Sequence, residues 1–129
     1  MTARGTTRRD AIAGLAAGTG AVALPGAAAA ALNHAERLAS LMRDRRSAAA
    51  IGRRVLASWP EEAAVDRLVA LLAPALATRD TVAGRTALTL ALAEDFVGGR
   101  VRSVEGAVLA ETETRLCALC ALLDGKAAR

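Results

Sequence analysis

A chain with one Trp, one Phe and no Tyr in 129 residues has to fill its interior with Ala, Leu and Val. Ala loses no side-chain entropy in a helix and Leu loses little, so the residues available for a core are also those that favour helix. The same scarcity leaves hardly any aromatic platform on which a base or a sugar could stack. The length allows one domain at most. Residues 32–129 alone would still support a modest core, burying about 60–70 % of the unfolded surface.

The apolar spacing predicts a run of helices. Leu32 to Asp44 places Leu32, Ala35, Leu38, Ala39, Leu41 and Met42 at near-helical intervals, with Asn33 as N-cap and Glu36 completing a capping box. Arg43-Asp44-Arg45-Arg46 reads as a solvated helix end or short turn. A second helix follows over Ser47–Ala57, in which Gly52 would allow close helix contact. A third starts at Pro60, with Glu61 and Glu62 at the positive end of its dipole and Pro74 kinking or finishing it. A fourth is capped by Thr78 or Asp80, runs through Val82, Leu88, Leu90, Leu92 and Phe96 to about Val97, and stops at Gly98-Gly99. The period then changes: Val101 and Val104, then Glu105-Gly106, then Val108 and Leu109, read as a small β-hairpin. A final helix covers Glu111–Leu123, with Gly125 as its terminator. The expected fold is mainly α, a small bundle of about five helices with a short β-hairpin before the last.

Ahead of these elements stands a different kind of segment. Thr7-Arg8-Arg9-Asp10-Ala11-Ile12 resembles the twin-arginine export signal, with Ala11 where that signal usually has Phe and Ile12 suiting the next position. An apolar stretch from Ala11 to Leu24 follows, diluted by glycines, and Pro25-Gly26 breaks it. Small residues at Ala27, Ala29 and Ala31 then offer cleavage registers. The expected organisation is therefore a signal over residues 1–31 and a helical domain over residues 32–129. An uncleaved inner-membrane anchor is the alternative, but fourteen residues at about 1.5 Å each fall short of a ~30 Å hydrocarbon core. A first helix of the fold is the third reading.

The net charge of +4 is unevenly spread, and Lys126 is the lone lysine among 17 basic residues. Arg43, Arg45, Arg46, Arg53 and Arg54 read as a solvated basic edge, and no nucleic-acid partner is inferred. Gly98-Gly99-Arg100 lacks the strand, helix and Lys-Ser/Thr of a phosphate loop. Cys117 and Cys120 form a C-x-x-C two turns inside the last helix. The bland reading is two small buried apolar residues; a disulfide, a redox pair or half of a metal site are the sharper ones. Ala121 in place of a histidine excludes covalent haem attachment. His34 is the sole histidine, too isolated for a catalytic triad. Glu94 and Asp95 diverge by about 100° on a helix and make poor acid–base partners, while Glu111 and Glu113 suit a helix start. Trp59, beside Pro60, reads as a staple on the third helix or as an anchor for a partner.

The stretch from Asp95 to Leu119, DFVGGRVRSVEGAVLAETETRLCAL, resembles the C-terminal signature of small bacterial proteins with twin-arginine leaders and no established activity. The matching residues are Asp95-Phe96, Gly99-Arg100, Val101, Val104, Gly106, Leu109, Thr112-Glu113 and Arg115-Leu116. Those proteins tend to carry Trp and Ser where this chain has Ala107 and Ala110. The resemblance implies an accessory role rather than a reaction. The expectation is an exported accessory protein, periplasmic, without cofactor. Its partners would be the twin-arginine export machinery and a larger periplasmic protein, and it would touch the membrane only through its leader. The alternative is a small thiol or metal-binding protein using Cys117 and Cys120.

Overall fold

The computed structural model describes residues 25–76 and 80–127. The chain divides into residues 1–31 and 32–129, and of the first part only residues 25–31 are described. Among the described residues the elements run α1 (Pro25–Ala39), α2 (Arg45–Ser58), a 3-10 turn (Pro60–Glu62), α3 (Val65–Leu76), α4 (Thr81–Val97), β1 (Val101–Val104), β2 (Ala107–Ala110) and α5 (Glu111–Ala127). The mainly helical bundle with a hairpin before its fifth helix is thus the fold.

α5 forms the middle of the packing. Leu116, Cys117, Ala118, Leu119 and Cys120 are all buried, so this helix is covered on every side for more than a turn, as a helix apolar all round must be. α2 meets it through Ala48, Gly52 and Val55, three buried positions at helical spacing. Gly52 is indispensable there, because a Cβ on it would overlap the Cys117 carbonyl group. The two backbones touch. α3 contributes Leu68, Leu72 and Leu76, one stripe at four-residue spacing, and each fully buried leucine contributes about 1.5–3 kcal/mol.

Several boundaries differ from the sequence reading. α1 is described from Pro25, so Pro25-Gly26 stands in the first turn of a helix, while the apolar stretch it was expected to break lies outside the described residues; Asn33 lies inside α1 instead of capping it. Proline has no N–H to lose in a first turn, and the alanines at 27–31 have the highest helix propensity. Asp44, exposed in the short turn before α2, is the cap of that helix: its carboxylate accepts the Ser47 N–H at 3.0 Å. Pro60 heads a 3-10 turn, and α3 begins only at Val65. Pro74 stands near the end of α3, which runs to Leu76. Asp80 caps α4 by accepting the Val82 N–H at 3.0 Å, while Thr78 lies outside the described residues. Gly125 does not stop α5, which continues to Ala127; its φ is not positive, so it makes no left-handed cap.

The hairpin is antiparallel, pairing Val101 with Ala110, Arg102 with Leu109, Ser103 with Val108 and Val104 with Ala107. Its two-residue turn has positive φ at Glu105 (48°) and Gly106 (87°), the handedness that matches strand twist. Arg102 and Val104 face inward. The strand period therefore delivers an arginine into the interior.

Candidate functional site

Arg102 meets Glu62, which the 3-10 turn carries from forty positions earlier. Glu62 Oε2 accepts Arg102 Nη2 at 2.8 Å and Oε1 accepts Nη1 at 3.0 Å, a two-point carboxylate–guanidinium pair. Both side chains are buried. Arg115, on α5, donates to the same carboxylate at 3.1 Å, and Glu111, one turn earlier, accepts Arg115 Nη1 at 3.2 Å. Glu111 also lies 3.6 Å from Arg102. Two cations thus balance two anions. The Arg102 guanidinium also stacks 4.5 Å from the centre of the Trp59 ring, a cation–π contact that uses the chain's one indole.

The electrostatics follow from this geometry. The Arg102 hydrogen bonds, opposed by burial and reinforced by Arg115, hold the Glu62 carboxyl down to about 2. Glu62 is therefore a committed anion at neutral pH, unsuited to general acid–base work. Its expected place at a helix dipole is corrected: it joins the turn, the hairpin and α5. Sequence reasoning missed this because Glu62 and Arg102 sit on separate elements, and neither looks unusual among its neighbours. The inward phase of Arg102 in a Val-x-Ser-Val strand was the available signal.

A second carboxylate works across elements. Asp95, read from sequence as a poor acid–base partner for Glu94, is buried. Burial opposes its ionisation, but the Thr112 N–H, the Thr112 side chain and Arg100 outweigh that and leave its carboxyl below the ordinary value. Asp95 Oδ2 accepts the Thr112 N–H at 2.8 Å, and Oδ1 accepts Arg100 Nε at 3.1 Å. Asp95 in α4 thereby caps α5, where Ala110 has no side chain able to do so.

Cys117 and Cys120 are free and buried. Desolvation, with the Glu113 and Cys120 charges adding to it, pushes the Cys117 thiol up to about 12, and burial also raises Cys120. Both are held as thiols. Among the described residues no three His, Cys, Asp or Glu come together to hold a metal ion. His34 is half-buried beside Arg37, Leu38, Leu41 and Asp80, away from both cysteines and from Glu62. Arg53 and Arg54 are exposed and pair with Asp124 at 3.6 Å and Glu105 at 2.9 Å. Trp59 is half-buried against the core. The signal residues Thr7, Arg8, Arg9 and Ile12 lie outside the described residues; Ala27, Ala29 and Ala31 fall in the first two turns of α1.

Beside Leu32 on α1 and Val101 and Val108 on the hairpin, the exposed large apolar side chains among the described residues belong to α4. Val82, Leu90, Phe96 and Val97 are 73, 60, 53 and 91 % exposed. At about 100° per residue they fall within about 120° of the helix circumference. Thr86, Thr89 and Ala93, the other residues on that arc, carry no charge. The opposite side, with Gly84, Ala91 and Asp95, is buried. α4 thus carries apolar residues both toward the core and toward solvent, two sides that the expected apolar run through Val82, Leu88, Leu90, Leu92 and Phe96 did not separate. No helix among the described residues is long and apolar enough to cross a membrane. No family model, curated protein or solved structure matches the chain.

Proposed function

We propose that this chain is an exported accessory protein that binds a larger protein outside the cytoplasm, as the escort or small subunit of an enzyme, and performs no catalytic step itself. The observation that carries the reading is the uncharged outer stripe of α4, four turns long, on a helix whose other side already packs on the core. A monomer gains nothing by exposing Val82, Leu90, Phe96 and Val97 together, whereas a partner that covers them gains the free energy of removing apolar area from water. Arg8 and Arg9, the small residues at 27–31 and the likeness of Asp95–Leu119 to small bacterial proteins with twin-arginine leaders and no established activity support the export half of the reading.

The test is recovery of an affinity-tagged chain from the exported fraction of expressing cells. One larger protein should accompany it in fixed ratio. L90K/V97K should abolish that recovery without changing the melting curve, because both side chains are exposed. R8K/R9K should leave the chain in the cytoplasm. Absence of a stoichiometric companion, or equal recovery with L90K/V97K, overturns the reading.

A further inference from the structure

A cleft of about 320 Å³ opens between the turn that follows α1 and the flank of α4 next to its uncharged stripe. Leu41 and Met42 line it from the turn, and Leu88 and Leu92 line it from α4. The volume lies at the lower end of the range that small-ligand sites occupy, about 300–1,000 Å³. Each wall also carries one arginine. Arg43 directly follows Leu41 and Met42, and Arg85 precedes Leu88 by one turn on the same face of α4. Among the described residues no ion pair engages Arg43 or Arg85, as is also true of Arg37, Arg46 and Arg67, so both guanidinium groups in the cleft are without a carboxylate partner. Glu113 is the one acidic side chain lining the cleft, so two cations face one anion and a single positive charge is left over.

An apolar floor with two arginines and one net positive charge selects a ligand that is apolar along its length and singly negative at its end. We propose that this cleft binds a medium-chain aliphatic carboxylate, with the alkyl chain on Leu41, Met42, Leu88 and Leu92 and the carboxylate on Arg43 and Arg85. The guanidinium groups supply charge-assisted hydrogen bonds that a neutral or cationic amphiphile cannot use. The site is separable from the protein-partner reading, because its apolar residues Leu41, Met42, Leu88 and Leu92 lie off the outer arc of α4 and only Thr89 is shared.

The probe is decanoate, added to the full chain below its micelle concentration and followed by side-chain methyl chemical shifts. Saturable shifts are expected at Leu41, Leu88 and Leu92, with no equivalent response to decyltrimethylammonium. R43Q/R85Q should weaken decanoate binding by about tenfold or more. Three results overturn the proposal: no saturation, equal binding of the cationic amphiphile, or shifts confined to Leu90 and Val97 on the outer stripe. The comparison of the two amphiphiles needs no variant, so it decides the matter even if R43Q/R85Q folds poorly.

Discussion

Glu62 and Arg102, forty residues apart, close a two-point ion pair inside the bundle at 2.8 and 3.0 Å. With Arg115 on the same carboxylate, this pair ties the 3-10 turn and the hairpin to α5. Its consequences reach stability, pH dependence and the order in which the molecule can assemble.

Glu62→Gln should cost about 3–5 kcal/mol, because it removes the two-point partner of buried Arg102 and leaves Arg102 and Arg115 to share Glu111 alone. Replacing Glu62 and Arg102 together by Met and Leu should cost less than E62Q alone, since no orphan charge remains. Denaturant melts of the two variants beside the unaltered chain read both effects. The acid limb follows the same pair. Glu62 binds protons less readily folded, near 2, than its ordinary 4.5, so the unfolded chain takes up more protons as the solution is acidified. The resulting stabilisation, about 3 kcal/mol, is fully present above about pH 4.5 and is lost as pH falls through about 2. In E62Q the acid melting profile should flatten over that window.

Asp95→Ala should cost about 2 kcal/mol, through loss of a cap and an unpaired N–H at Thr112 in the start of α5. Hydrogen exchange at the Thr112 amide is the sensitive readout. Its protection should fall much more than that of amides in the middle of α5. Unchanged exchange would mean that another group caps the helix.

Gly52→Ala should cost about 3 kcal/mol, the upper end for overpacking, because the new methyl meets the Cys117 backbone rather than a side chain that could swing aside. Alanine at nearby exposed Arg53 or Arg54 should change the melting temperature little, since both make only solvated ion pairs. Thermal melts of the three variants provide the comparison.

The native protein should react with a thiol-specific reagent at neutral pH only as fast as it unfolds. Burial holds Cys117 near 12 and raises Cys120, so neither offers appreciable thiolate. Two equivalents should react at once in denaturant. Rapid native labelling at either position would show that α5 opens locally.

What was legible in the sequence was local. Glu105-Gly106 between valine-bearing runs marks the hairpin, Asp80 marks a helix start, and Gly52 marks a close contact, each from residues within one turn of the feature. What was not legible depended on partners far along the chain. Glu62 has the same neighbours whether it faces solvent or Arg102, and Asp95 looks like any helix-surface acid until α5 arrives beside it. α4 failed for a different reason. Its apolar residues occupy both sides of the helix, so periodicity showed that it was apolar without showing which side would be covered.

The place of α5 in the packing also governs timing during synthesis. Gly52 has Cys117 as its neighbour, and Glu62 needs Arg102 and Arg115, so α2 and the 3-10 turn are made long before the surfaces they fit. Until residues 111–127 leave the ribosome, the buried faces of α2, α3 and α4 have no common helix to close on. The nascent chain must therefore carry exposed alanine and leucine faces through most of its translation, and the bundle can close only after those residues emerge.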